Sequence, residues 1–223
     1  MSVGATPSLN FIGDTVGDVA PHAMSEMRGI RFASGNSPTT GAISLSDFRN
    51  RVLTSVRSQQ AKIQASDKQA GDKFGYSVSI SGDGNTAIAG ALFEEYGGSA
   101  YIFTRSGTTW TQQAKIQASD KQASDFFGHS VAISSNGNTA LVGAYNDHTG
   151  SDRTGSAYIF TRSGTTWTQQ ARIQASDKQA SDNFGWSVAI SDDGNTTIAG
   201  AYNEDTGGTD TGAAYIFEKS YYI

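Results

Sequence analysis

Cysteine is absent from the 223-residue chain, which excludes disulfides and thiolate chemistry without fixing a compartment. Histidine is scarce, with only His22, His129 and His148. No HExxH pair, His/Cys cluster or serine elbow occurs. Paired acids stand at Glu94-Glu95, Asp192-Asp193 and Glu204-Asp205. Adjacent loop acids are more often solvated than poised as acid and base, so no enzyme is expected. No run of 18 apolar residues exists to span a membrane. The net charge is −5 and no basic stripe is present, which argues against nucleic acid as a partner. Proline is rare, and Pro7, Pro21 and Pro38 all fall in residues 1–57, as do the three methionines. That shift sets 1–57 apart as an N-terminal segment. Residues 1–22 have neither a basic start nor a long apolar stretch, so no secretory signal is expected.

What the chain has in quantity is glycine, 26 residues, and repetition. Residues 74–103 recur at 127–160 and 184–217, with Phe74, Phe127 and Phe184 spaced 53 and 57 residues apart. A period near 50 signals a repeat architecture. Phe74, Tyr76, Val78 and Ile80 alternate with small residues, the period of a strand, and the copies at 127–133 and 184–190 keep it. Asp83-Gly84, Asn136-Gly137 and Asp193-Gly194 follow as expected two-residue hairpin turns. Second strands are expected at 86–91, 139–144 and 196–201, composed for burial on both sides. Third strands are expected at 100–104, 157–161 and 214–218, and fourth strands at 110–117 and 167–174. The fold class is therefore all-β: three propeller-like, four-stranded blade repeats at about 58–110, 111–167 and 168–223.

Residues 59–63 copy residues 112–116, while the third unit reaches 217 and six further residues without a fourth strand. That offset suggests closure by first and last strands. Either three sheets close on themselves in a prism-like ring, or strands pass between subunits to make a larger ring. In the N-terminal segment, Leu45, Phe48, Val52, Leu53 and Val56 follow helical spacing after a capping box at Ser44 and Asp47. A short helix ending near Arg57 is expected.

The opening Phe-Gly, the Asp/Asn-Gly turn and the following Ile-Ala-Gly-Ala or Leu-Val-Gly-Ala resemble the FG-GAP repeat known from integrin α-subunit propellers and bacterial surface proteins. The resemblance covers about residues 62–217. It implies a β-propeller, and it implies calcium loops with a series of carboxylates. Here the turns read SGDGN, SSNGN and SDDGN. Asp83, Asp192 and Asp193 are the candidates, but a hard cation wants six to eight oxygens. The hairpin-turn reading is preferred, and no cofactor is expected. Residues 40–48 (TGAISLSDF) resemble a phrase of bacteriophage virion proteins. Together the two resemblances imply a non-enzymatic phage tail, fibre or baseplate protein. Residues 1–57 would dock on the particle and the repeats would serve assembly or host attachment. Its expected partners are other virion proteins, copies of itself and a host glycan or receptor, and its expected place is the virion. The alternative is a bacterial surface adhesin or lectin-like protein built of the same repeats.

One loop differs between copies while the strands stay near-identical: 92–99, 145–156 and 202–213. A constant scaffold with differing loops places binding there. The candidate contacts are Tyr145, Asn146, Asp147 and His148, then Tyr202, Asn203, Glu204 and Asp205. Trp110 and Trp167 are expected to pack between blades, and His129 to pack within a strand. The repeated DKQASD loops are expected to bond their own backbone through aspartate.

Overall fold

The computed structural model describes residues 57–149 and 152–220, together with β1 (Leu9–Asn10) and β2 (Val16–Gly17). The chain divides into two compact units, Met1–Arg57 and Ser58–Ile223. In the first, β1 and β2 pair antiparallel, with Leu9 opposite Gly17. The helix expected over 44–57 falls, apart from Arg57, outside the described residues.

The second unit is all-β. Its first sheet is β3 (Val78–Ile80), β4 (Thr86–Ala91), β5 (Ser99–Ser106) and β6 (Thr109–Ile116), antiparallel and in chain order. The second sheet begins with β7 (Ser130–Ile133) and β8 (Thr139–Ala144). A small ribbon, β9 (His148–Thr149) with β10 (Asp152–Arg153), lies in its long loop. The sheet then continues with β11 (Ser156–Ser163) and β12 (Thr166–Ile173). The third sheet holds β13 (Ser187–Ile190), β14 (Thr196–Ala201) and β15 (Ala213–Glu218).

Two local expectations are corrected. The first strand of each unit starts four or three residues after its Phe, at Val78, Ser130 and Ser187. Gly75, Gly128 and Gly185 take φ of 83°, 87° and 86°, a left-handed turn that ends the period-two alternation. Phe127 and Phe184 are thereby fully buried, while His129 lies ahead of β7 rather than within it. The hairpins are not two-residue turns either. Only the glycine takes positive φ, and Gly84 N–H donates to Ser81 O at 2.9 Å while Ser81 N–H donates to Thr86 O at 2.8 Å. This is a four-residue loop built on a β-turn followed by a left-handed glycine.

The sheets stack face to face. Ile88 and Ile102 of the first meet Val131, Ile133, Val142 and Phe160 of the second. Leu141 and Ile159 of the second meet Val188, Ile190 and Phe217 of the third. Close approach is set by glycine. A Cβ on Gly90 would lie 1.9 Å from Gly128 O, and one on Gly143 would lie 2.0 Å from Gly185 O. Ser77 and Ser130 donate through Oγ to these same two carbonyls, at 2.7 and 2.8 Å. At the hairpin end, Gly82 N–H donates to Ser135 O and Ser135 N–H to Asp192 O, each at 3.0 Å. Trp110 and Trp167 pack against the clusters on either side of the first sheet, and Trp167 Nε1 donates to Gln113 Oε1 at 3.0 Å.

The three sheets do not close on one another. Val78 and Ile80 on one outer face are 70% and 58% exposed, and Ile216 on the other is 67% exposed. Neither the prism-like ring nor pairing of residues 59–63 within this chain is present among the described residues.

Candidate binding surface

The left-handed glycine that ends each Phe-Gly pair turns the next side chain toward one end of the stack. Tyr76, His129 and Trp186 occupy that position in the three units. Tyr145 and Tyr202, each directly after a Gly-Ala strand end, reach the same place. The rings form a continuous row. Centroid separations are 5.2 Å for Tyr76–His129, 4.4 Å for His129–Trp186, 4.7 Å for Tyr145–Trp186 and 4.6 Å for Trp186–Tyr202. Phe126 stacks on Tyr145 at 5.4 Å and extends the row toward Phe93. Tyr76, Trp186 and Tyr202 are exposed, at 56, 38 and 49%. Buried at the centre, His129 donates from Nδ1 to Trp186 O at 3.1 Å, which leaves Nε2 facing the Tyr76 hydroxyl at 3.5 Å.

Burial disfavours the charged imidazole and lowers the His129 pKa, against a smaller opposing effect of the Trp186 carbonyl. A depressed histidine pKa means that the unfolded chain binds the extra proton first. Its contribution to stability is complete above the unfolded value, about 6.5, and is lost as pH falls below it. Urea unfolding from pH 7.5 to 5 should show a loss on acidification that is reduced in His129→Gln. An identical slope in the two proteins would refute this assignment.

The loop candidates separate into two groups. Tyr145 and Tyr202 belong to the aromatic row. Asn146, Asp147 and Glu204 are buried and work inside the protein. Asn146 Nδ2 donates to Ser124 O at 2.6 Å. Glu204 Oε1 accepts from Thr206 N–H at 2.7 Å. His148 Nδ1 meets Asp125 Oδ1 at 2.9 Å, and Arg153 Nε donates to His148 Nε2 at 3.2 Å. Asn203 N–H donates to Asp182 O at 3.3 Å, and the exposed Asp205 accepts from Asp210 N–H at 2.6 Å.

Asp147 is the centre of a charge cluster that sequence reading missed. It accepts from Arg172 Nη2 at 2.6 Å and from Tyr158 Oη at 2.9 Å, while Arg172 Nη1 also reaches Asp120 at 2.8 Å. Burial still raises the Asp147 pKa, despite Ser156, Arg172 and Tyr158 acting against it. The first sheet repeats the plan with Lys115 Nζ, which bonds Glu94 at 2.5 Å, Asp67 at 2.9 Å and Glu95 at 2.9 Å. Burial opposes the charge on Lys115, but these carboxylates outweigh it and hold its pKa up. The first aspartate of the first two DKQA(G/S)D loops, Asp67 and Asp120, thus bridges to the sheet that follows it. The second bonds its own turn as expected: Asp125 and Asp182 accept from Gln122 N–H and Gln179 N–H, both at 2.6 Å.

The calcium candidates hold their hairpins. Asp83 Oδ1 accepts from Ser81 Oγ at 2.6 Å and Asn85 N–H at 2.9 Å, and Asp193 repeats this with Ser191 and Asn195 at 2.5 and 3.0 Å. Those bonds lower both pKa values. Asn136 fills the same role without charge, accepting from Ser134 Oγ and Asn138 N–H, both at 2.9 Å. Asp192 contributes its main-chain carbonyl to Ser135. Among the described residues, no three His, Asp or Glu side chains are grouped to hold a metal ion. None of their helices is long and apolar enough to cross a membrane.

Stacked antiparallel sheets that carry a surface row define a propeller-type binding or structural protein. The chain belongs to the FG-GAP repeat family, whose model matches residues 58–103, 110–160 and 167–217. No curated protein matches the chain. Solved structures similar to it include Kuenenia stuttgartiensis hydrazine synthase, 14% identical over 71% of this chain and 36% of that one, TM-score 0.43. TolB from Acinetobacter baumannii is 15% identical over 64% and 29%, TM-score 0.40. Saccharomyces cerevisiae Sqt1 is 12% identical over 59% and 31%, TM-score 0.39. The chain spans about a third of the length of these structures.

Proposed function

We propose that this chain is a non-enzymatic attachment protein whose aromatic row binds a glycan of a host surface, in the setting of a phage particle. The observation that carries the binding reading is the set of exposed rings Tyr76, Trp186 and Tyr202, with the buried His129 in ring contact with both Tyr76 and Trp186. Aromatic rings with an apolar face and a polar tip suit the mixed surface of a sugar ring. The row is preorganised by ring-on-ring contacts, so little side-chain freedom is lost on binding. The particle setting is supported by the phrase at residues 40–48, which lies outside the described residues.

Trp186→Ala and Tyr202→Ala are expected to weaken binding to a host-envelope glycan array by at least about 10-fold each, as for central aromatic contacts elsewhere. Asp205→Ala, on the loop but off the row, should bind as the parent does. Equal binding by all three variants would defeat the reading. Loss of particle incorporation on deleting residues 1–57 tests the setting separately.

A further inference from the structure

Among the described residues, the third sheet has an uncovered edge and an uncovered face. β15 is bonded to β14 alone among the described residues, whereas β5 and β11 each also carry an outer strand. Beside β15 runs a groove of about 410 Å³, walled by Ile159, Ala171, Ile173 and Phe217 among others. The acids of this sheet are similarly placed to those of the other two. Glu204 is 4% exposed, and it corresponds to Asp147 with Arg172 and Glu94 with Lys115. Both of those cations come from an outer strand. Asp182 Oδ1 is buried without a hydrogen-bond partner. Burial and the nearby carboxylates of Asp177, Glu204 and Asp182 raise the Tyr215 pKa.

The matching part lies at the other end of the stack. Residues 59–63, QQAKI, repeat 112–116 and, with arginine for lysine, 169–173. They pair in no sheet, yet the segment sits on the first sheet as the end of β6 sits on the second. Ser66 N–H donates to Gln112 Oε1 at 2.9 Å, as Ser119 N–H does to Gln169 Oε1 at 2.9 Å. Ile63 and Ala65 pack on Phe74, Tyr101 and Phe103, as Ile116 and Ala118 pack on Phe127, Tyr158 and Phe160. Lys62 is exposed.

We infer that residues 59–63 of one copy form the outer strand on β15 of a second copy, and reciprocally, so that two three-sheet arcs close as one six-sheet ring. The register follows β11–β12, where Ala157 faces Ile173, Tyr158 faces Arg172 and Ile159 faces Ala171. Ile63 then faces Ala214, Lys62 faces Tyr215 and Ala61 faces Ile216. Lys62 meets Glu204 and Asp177 as Arg172 meets Asp147 and Asp120. Ile198 and Ile216 cover Val78 and Ile80 of the other copy, the pairing that Ile88 and Ile102 make with Val131 and Ile133 inside the chain. The join is head-to-tail, so it ends only by closing a ring of whole copies. Propellers hold about four to eight blades, and six is the one multiple of three in that range.

Sedimentation of the full chain should give twice its 23.4 kDa mass. Lys62→Glu and Ile216→Lys, both at exposed positions, should each raise the dissociation constant about 100-fold. The chain has no cysteine of its own, so Ala61→Cys with Ile216→Cys gives a clean cross-link. Oxidation should yield a covalent dimer. A single-chain mass, an internal disulfide, open-ended polymers, or a dimer indifferent to both charge variants would each overturn the inference.

Discussion

Gly143→Val is expected to destabilise the stack by about 3 kcal/mol or more, the cost of forcing atoms into a packed interior with no room to yield. The obstacle is main chain. An added Cβ would meet Gly185 O at 2.0 Å and Ser130 Oγ at 2.2 Å. Ser130 could rotate, but Gly185 O belongs to the left-handed turn that carries Phe184 into the core. Relief therefore requires the second and third sheets to separate. The melting temperature of the full chain should fall by about 10 °C. Gly107→Ala is the control: it has φ of 60° and nothing within 4 Å of the new Cβ, so it carries only the left-handed strain of about 1 kcal/mol. Equal melting temperatures for the two variants would show that the sheets are not held at glycine contacts.

Arg172→Met should cost about 3 kcal/mol, because it leaves Asp147 buried at 1% exposure without its cation. Methionine keeps most of the stem, so the loss reports charge rather than packing. The pH dependence identifies the cause. Burial already raises the Asp147 pKa, and removing Arg172 raises it further. The folded state then holds a proton that the unfolded state has released. The penalty is full at neutral pH and shrinks as pH falls through the raised folded value. Urea unfolding at pH 7 and 5 should show a smaller gap between variant and parent at pH 5. A constant gap would assign the loss to packing.

The strands and their sheet order were legible in the sequence because alternation, Asp-Gly turns and threefold copying agreed with one another. Where local pattern and tertiary contact diverged, reading failed. Phe74, Tyr76, Val78 and Ile80 look like one strand face, but a left-handed Gly75 leaves Phe74 packed against Tyr101 and Phe103 and Tyr76 exposed at the rim. Glycine reads as merely small until its φ is known. Tyr145 and Tyr202 were found through loop variation. Tyr76, His129 and Trp186 read as one repeated position on a strand face, since nothing in one repeat's sequence tells that three repeats bring those positions together. The buried charge cluster was missed for a similar reason. Asp120, Asp147 and Arg172 are far apart in sequence and meet only where the second sheet's long loop, its outer strand and the connector leading into it come together. A signal was present: every outer-strand copy carries one cation, Lys62, Lys115 or Arg172, at the same place among uncharged residues. An internal residue kept charged through repetition marks a partner.

The carbonyls of Gly128 and Gly185 rest on the second-strand glycines Gly90 and Gly143. The pitch of the array is thus a ruler made of backbone. Outward-facing side chains can drift, and loops such as 145–156 can lengthen by several residues, without altering the step from one sheet to the next.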